Sequence, residues 1–299
     1  YWRSMMSMEL RDFGFSGMKV TPIGFGAGRT GDKKMSDKKV EKLLNTVLDL
    51  GINLIDTARS YGESEHRIGK FLSARRSEFI LSTKIGYDVE GTEDWTYDCV
   101  VKGVEKALRI LQTDYIDIVH LHSCNKDILE KGEVTEALLR MTQEGKVKCH
   151  AYSGDNEALE YAVYSGSFAS IQSSINIVDQ KTINTLLHPA KQRYMGVLAK
   201  RPLANFAWGD NADLTDPVVA EYRRRIYDMN IDYGMPLEEV MIRFSAYTYG
   251  VDSILIGTSD VKHLKAAVKI VEKGKLPEDL LERIKQRYAE TGSDWANLT

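Results

Sequence analysis

The sequence predicts an α/β protein folded as a (β/α)8 TIM barrel, with an N-terminal β-hairpin and additional helices and loops toward its C-terminal side. Three observations predict it. Eight short strand-like runs recur along the 299 residues. Several of them are continuously apolar rather than alternating, as parallel strands buried on both faces require. Amphipathic helical segments separate the runs, and such alternation closes most simply into a barrel, a fold that takes ~250 residues.

The elements follow in order. A hairpin is expected over residues 10–20, with Gly14, Ser16 and Gly17 at its turn. Strand-like runs lie at 22–26, 53–56, 79–84, 116–122, 149–153, 170–176, 196–200 and 253–257. Ser36 is placed to cap a helix over 37–50, whose Val40, Leu43, Leu44, Val47 and Leu48 share one stripe before Gly51 closes it. Thr96 is placed to cap the next, with Val100, Val104, Ala107, Leu108 and Leu111 inward. Asn156 is placed to cap 157–165, Pro236 to open a helix containing Val240, Met241 and Phe244, and Asp260 to cap 261–272. Residues 205–234 read as an insertion after the seventh strand, 275–299 as a C-terminal helix and tail, and 1–8 as a tag-like or disordered start. In such a barrel, additions of this kind shape the substrate mouth. No repeat or linker divides the chain, so one barrel domain is expected over 1–299.

Composition narrows the function classes. A formal charge of −3, with lysines and arginines scattered, argues against nucleic acid or an anionic membrane as partner. Three cysteines, Cys99, Cys124 and Cys149, show no metal-ligand spacing and fit a reducing, cytoplasmic setting. No apolar stretch approaches the ~18 residues of a membrane helix, and the start of the chain lacks the apolar core of a signal peptide.

Four residues stand just past the ends of successive strand-like runs: Asp56, Tyr61, Lys84 and His122. Barrel active sites lie at the C-terminal ends of strands. A carbonyl accepts hydride readily when its oxygen is stabilised as negative charge develops. A phenol can donate that proton, and a nearby cation makes the transfer easier, since the ordinary phenol pKa is about 10. Tyr61 is thus the expected acid and Lys84 the cation. Asp56 is expected to orient Lys84, and His122 to hydrogen-bond the substrate oxygen or share the proton. Each residue alone has a plainer reading as a cap, a packing group or a surface charge; the combination points to a site. His120 has the strand parity of His122 but sits deeper, as a core or supporting histidine would. The run Gly24-Phe-Gly26-Ala-Gly28-Arg29 looks like a dinucleotide fingerprint, but Arg29 stands where its third glycine belongs, so a strand ending in a tight loop is the better reading.

From about Leu10 to the last helix, the chain resembles the aldo-keto reductase family. The motifs that carry the resemblance are Gly51-Ile-Asn-Leu-Ile-Asp-Thr-Ala-Arg-Ser-Tyr-Gly62, Ser82-Thr-Lys-Ile-Gly86, Asp114-Tyr-Ile-Asp-Ile-Val-His-Leu-His122, Gly145-Lys-Val-Lys148 and Ile256-Gly-Thr-Ser259. The resemblance implies a catalytic tetrad of Asp56, Tyr61, Lys84 and His122. It also implies a nicotinamide dinucleotide stretched over the barrel mouth without a Rossmann domain, NADP(H) favoured and NAD(H) the alternative. Ser153 and Gln172 match positions that hold the nicotinamide carboxamide, and Gly26 allows close approach. Lys200 stands where the family often has an aromatic; its stem would cover the ring, or Lys200 and Arg201 would bind phosphate, with the loop 202–205, Pro202 and Leu203 within it, following the pyrophosphate. Gly257, Thr258 and Ser259 lead into a helix N-terminus suited to phosphate. Lys262 and His263 are the expected 2′-phosphate partners, in the absence of the family's usual arginine. Ala266 and Ala267 replace a frequent Glu-Asn pair.

The expected reaction is reduction of an aldehyde or ketone, sugar-derived among the candidates, as the small-molecule substrate. Arg29, Trp95 and Trp208 are candidate pocket walls, each equally readable as loop packing. Two other functions fit some of the same residues: a Schiff-base lyase using Lys84 as nucleophile, and a cofactor-sensing regulatory protein with the reductase fold.

Overall fold

The computed structural model describes residues 8–299; the start expected at 1–8 lies outside these residues apart from Met8. A two-stranded antiparallel hairpin, β1 (Arg11–Asp12) and β2 (Lys19–Val20), precedes eight parallel strands. These are β3 (Ile23–Gly26), β4 (Leu54–Asp56), β5 (Ile80–Ile85), β6 (Ile116–His122), β7 (Val147–Ser153), β8 (Ser170–Ser174), β9 (Gly196–Lys200) and β10 (Ser253–Ile256). They pair in chain order, and β10 closes on β3 to complete the barrel.

The burial pattern explains the apolar runs. Ile23, Phe25, Ile55, Leu81, Val119, Leu121, Ile171, Val197 and Ile254 point outward into a core shared with the surrounding helices. Alternate residues Leu54, Ile118, Cys149, Ala151, Leu198 and Leu255 point into the barrel, where Phe13 and Val20 of the hairpin pack against them. Phe13 lies against Gly196, the first residue of β9; a Cβ there would come within 2.5 Å of the Phe13 ring. The hairpin therefore plugs the end of the barrel where strands begin, leaving the other end open for a site. Burying a phenylalanine this fully is worth roughly 1.5–3 kcal/mol.

Helix boundaries follow their local chemistry. Thr96 accepts from the backbone N–H of Cys99, and Asp260 from that of Lys262, as capping requires. Ser36 holds the cap position without a side-chain bond, and Gly51 leaves the helix at φ +79°. Two helix starts differ from expectation. Pro236 is the N-cap of Leu237–Tyr247 rather than its first residue. The helix expected to be capped by Asn156 begins at Asn156, with Asp155 at the cap position. The Asp155 carboxylate is drawn off to Ser173 and Lys200, and the Asn156 side chain pairs with the backbone of Asn297.

The insertion carries the helix Pro217–Met229, and the C-terminal segment the helix Glu278–Thr291. They share a second apolar cluster of Tyr222, Ile226, Met229, Phe244, Leu280, Ile284 and Tyr288, separate from the barrel core. Among the described residues no helix is long and apolar enough to cross a membrane.

Candidate active site

Asp56 ends β4, and Lys84 lies in β5 one pleat beyond Ser82, which pairs with Asp56. Lys84 and Asp56 side chains are 1% and 4% exposed. The Lys84 ammonium donates to Asp56 Oδ2 at 2.5 Å and to the Thr57 carbonyl at 2.8 Å. Ser82 Oγ and Gln172 Nε2 donate to Asp56 Oδ1 at 2.7 and 3.0 Å. Burial opposes both charges. At Lys84 it is outweighed by the Asp56 carboxylate, then by the Tyr61 hydroxyl, so the pKa is raised. At Asp56 the Lys84 ammonium outweighs burial and the pKa is lowered. The pair therefore stays ionised.

Tyr61 is brought over this pair by the loop after β4. Gly31 and Gly62 meet backbone to backbone there: a Cβ on Gly31 would fall 1.6 Å from the Tyr61 carbonyl oxygen, and one on Gly62 2.6 Å from that of Gly31. Only glycine permits that approach. Beneath the loop, buried Glu65 accepts from Arg59 Nε at 3.2 Å and from Thr83 Oγ1 at 2.6 Å. The result places Lys84 Nζ 5.0 Å from the Tyr61 ring centroid.

His122 ends β6, with its ring edge-on to that of Tyr61, centroids 6.2 Å apart. Burial first, then the charges of Lys84 and Lys200, push its pKa down to about 3, so the ring is neutral near pH 7. The Tyr87 hydroxyl lies 2.6 Å from His122 Nδ1, and the two rings stack. His120, wholly buried one pleat below, has Nδ1 3.4 Å from Ser82 Oγ and its pKa pushed down to about 4 by burial.

Asp56, Tyr61, Lys84 and His122 line a cleft of about 1040 Å³ at the strand C-termini. It is bounded also by Gly26, Arg29, Ser153, Gln172, Lys200, Arg201, Pro202, Leu203 and Gly257, all residues singled out in the sequence. His122, Ser153 and Gln172 stand in one register row across β6, β7 and β8. Gln172 Oε1 accepts from Ser153 at 3.1 Å, and its Nε2 donates to Asp56. An amide has two N–H groups and two carbonyl lone pairs, so one of each remains for a ligand carboxamide. Gly26 and Gly257 sit so close that a Cβ on Gly257 would lie 3.3 Å from the Gly26 carbonyl oxygen, leaving bare backbone on the wall. The cleft's size, spare amide and two cations fit an extended anionic dinucleotide.

Lys200 and Arg201 are engaged by the protein at that wall, and several other expected contacts lie outside it. Lys200 Nζ pairs with Asp155 at 2.8 Å, and burial lowers its pKa. Arg201 Nη1 donates to the Leu298 carbonyl at 2.5 Å. Thr258, Ser259, Lys262 and His263 are outside the cleft lining; Thr258 Oγ1 accepts from the Asp260 N–H, and Lys262 and His263 are exposed in the first turn of the helix Val261–Glu272. Trp95 packs against Gly86 and Tyr87. Trp208 stacks on Phe206, centroids 4.7 Å apart, and it is Phe206 that faces the cleft.

Four residues escaped the sequence reading: Tyr87, Asp155, Phe206 and Asn297. Asn297 Nδ2 donates to Thr182 Oγ1 at 2.8 Å and to Asp155 Oδ1 at 3.3 Å, fastening the C-terminal segment behind Lys200. Tyr87 carried a local signal, a phenol one residue after a strand-end glycine in Lys84-Ile-Gly86-Tyr87. Nothing local distinguished Asn297, whose partners are more than 100 residues away.

Comparison with known proteins agrees with the fold. The model of the Aldo/keto reductase family matches residues 22–289. L-galactose dehydrogenase of Arabidopsis thaliana is 28% identical over 285 residues, covering 89% of each chain. The uncharacterized oxidoreductase YqkF of Bacillus subtilis is 27% identical, covering 96% of this chain and 98% of its own. Among solved structures, the aldo-keto reductase AKR11C1 from Bacillus halodurans, in its holo form, superposes with a TM-score of 0.80 at 26% identity, covering 94% of this chain and 96% of that one. The chain belongs to the aldo-keto reductase family, an oxidoreductase family that uses NAD(P)H.

Proposed function

We propose that this protein reduces the carbonyl of a small hydroxyl-rich aldehyde or ketone, with Tyr61 as proton donor. The observation that carries the reading is the buried, ionised Lys84–Asp56 pair beneath Tyr61, with neutral His122 facing the same space. A bound dihydronicotinamide supplies the hydride. As the carbonyl oxygen gains negative charge, Tyr61 passes its hydroxyl proton to it, and the fixed Lys84 ammonium stabilises the phenolate left behind. Asp56 keeps that ammonium charged and aimed. His122 hydrogen-bonds the same oxygen, while Ser153 and Gln172 hold the carboxamide that orients the ring.

The rim supports the substrate class. Asn205, Asp210, Asn211, Asp213 and Asp216 from the insertion line the cleft together with the exposed Phe206 ring. Hydroxyl groups can satisfy those acceptors, and an aromatic face stacks on the apolar side of a sugar. The relative named for L-galactose fits that chemistry. For the cofactor, NADP(H) is the favoured form, held by Lys200 and Arg201 and by Lys262 or His263 at the helix N-terminus, with NAD(H) the alternative. A Schiff-base role for Lys84 is disfavoured, because a nucleophilic amine must be unprotonated and its pKa is raised.

Tyr61→Phe tests the reading. Against a panel of aldoses, simple aldehydes and ketones, the substitution should lower kcat by ~10²–10⁴-fold, with NADPH and NADH binding by fluorescence titration unchanged. Equal turnover by the variant would remove Tyr61 from the reaction.

A further inference from the structure

We propose that Tyr87 fixes the tautomer of His122, holding Nδ1 bare and the ring hydrogen on Nε2, the nitrogen left to bond the substrate oxygen. This rests on the reductase reading of the site and adds a positioning residue to it.

The geometry is specific. Tyr87 stands three residues after Lys84, where Gly86 at φ +127° turns the chain beyond β5. A Cβ at Gly86 would come within 2.1 Å of the Trp95 ring, so the turn is closed over that indole. Trp95 flanks Tyr87 on one side, with centroids 5.6 Å apart. On the other, Tyr87 and His122 stack at 5.6 Å and 25° between planes, with the hydroxyl 2.6 Å from Nδ1. Phenol and imidazole are thus held in one orientation between Trp95 and Tyr61.

The direction of that hydrogen bond follows from acidity. Tyr87 has its pKa raised, first by burial, and remains a phenol with a proton to give. His122 is neutral, so one ring nitrogen is a bare acceptor and the other carries hydrogen. A phenol is a far stronger acid than a neutral imidazole N–H, and an imidazole nitrogen a far stronger base than a phenol oxygen. The hydroxyl therefore donates to Nδ1, and the hydrogen must sit on Nε2. Among the described residues no protein group bonds Nε2, and His122 lines the cleft. In the other tautomer Nε2 would present a lone pair to the substrate oxygen, and two acceptors would face each other. A neutral imidazole offers only one hydrogen, so the tautomer decides whether His122 assists reduction or opposes it.

The test reads the tautomer directly. In protein labelled with ¹⁵N-histidine, His122 is identified among the six histidines by the signal lost in His122→Gln. Its nitrogen shifts near pH 7 should show hydrogen on Nε2 and none on Nδ1. Tyr87→Phe keeps the ring that stacks between His122 and Trp95 but removes the donor, so the His122 shifts should move toward the average of both tautomers. Its kcat should fall about tenfold, the worth of one neutral hydrogen bond, with KM for the cofactor little changed. Hydrogen on Nδ1 in the wild type, or shifts that Tyr87→Phe leaves in place, would overturn the proposal. Hydrogen on Nδ1 in the wild-type spectrum overturns the proposal even if the variant does not fold. Because the spectra need no turnover, they stand apart from the Tyr61→Phe result, which can fail or succeed independently.

Discussion

Lys84–Asp56 and Lys200–Asp155 are two lysine–aspartate pairs at one cleft, and burial acts on them with opposite outcomes. In the first, the N–O distance is 2.5 Å, Asp56 Oδ2 receives Lys84, and the Thr57 carbonyl takes a second ammonium hydrogen. The pKa of Lys84 rises. In the second, the distance is 2.8 Å and the Lys200 side chain is 19% exposed, yet its pKa falls. The carboxylates differ less than the company of the cations. Lys84 has Tyr61 beside it, a group that gains from a positive charge. Lys200 has Arg201 and Lys84, which repel it, and Asp155 is shared with Ser173, the Ser174 N–H and Asn297. One lysine carries a permanent charge for chemistry; the other carries a charge that an incoming anion would stabilise.

Replacing each lysine by methionine tests that contrast most severely. Lys84→Met strands a buried carboxylate and should cost about 3–5 kcal/mol of stability, since removing one partner leaves the other charge unpaired. It should also abolish measurable turnover. Lys200→Met removes a cation that burial and like charges already disfavour, and Asp155 keeps other donors in Ser173, Ser174 and Asn297. With Ser174 Oγ the fourth of these donors, the cost of the substitution should stay below about 2 kcal/mol, in the range of one charged hydrogen bond. Urea midpoints at constant m decide the order. Equal losses would mean that the two pairs are alike and that the like-charge argument fails.

The pH dependence sharpens the same contrast. Asp56 has a depressed pKa, so its stabilisation is present above the unfolded value of about 3.9 and is lost as pH falls through the folded one. Lys84 has a raised pKa, so its contribution is complete below about 10.4 and is lost as pH rises through the folded value. Between these limits the pair is constant, and any slope near neutrality must come from other groups. His120 and His122 supply one. Their folded values of about 4 and about 3 lie below the unfolded value. From about pH 6.5 downward the unfolded chain takes up protons that these two folded rings refuse, so they lower stability toward about pH 4, against buried Asp179, whose carboxyl is raised to about 7 and acts with the opposite sign. His122→Gln should flatten part of that slope, and kcat should show no histidine limb between about pH 5 and 8. A kcat limb near 6.5 that His122→Gln removes would show that the ring is protonated in the working enzyme.

The sequence carried most of the first pair and little of the second. Asp56, Lys84 and His122 were legible because each follows an apolar run that must be a buried strand, and strand ends in a closed barrel converge. Tyr61 was legible from its spacing to Asp56. Asp155 was hidden: the sequence put the helix cap on its neighbour Asn156, and only the folded chain shows the Asp155 carboxylate turned toward Lys200. Asn297 was hidden more deeply, since a polar tail residue gains meaning only through partners brought together by the barrel. Trp208 and Phe206 show a finer limit. Two aromatics close together in a loop need not both face the cleft, and pattern alone does not say which does. The structure stacks Trp208 behind Phe206.

The weakest expected effect lies farthest from the two pairs. Lys262 is exposed in the first turn of the helix Val261–Glu272, whose N–H groups and dipole already favour an anion. Asp260, the capping residue, accepts from the Lys262 N–H at 2.8 Å and places a negative charge at the same point. The two side chains therefore offset each other where a 2′-phosphate would dock. A single exposed charge at a helix terminus is worth about 0.3–1 kcal/mol, so Lys262→Ala should weaken NADPH binding only about two- to fivefold. NADH has no 2′-phosphate, and its binding should be unchanged. Parallel fluorescence titrations of both cofactors against both proteins measure the ratio. A loss of a hundredfold for NADPH alone would place the decisive phosphate contact on Lys262. The anion-binding role assigned to Lys200 and Arg201 would then be secondary.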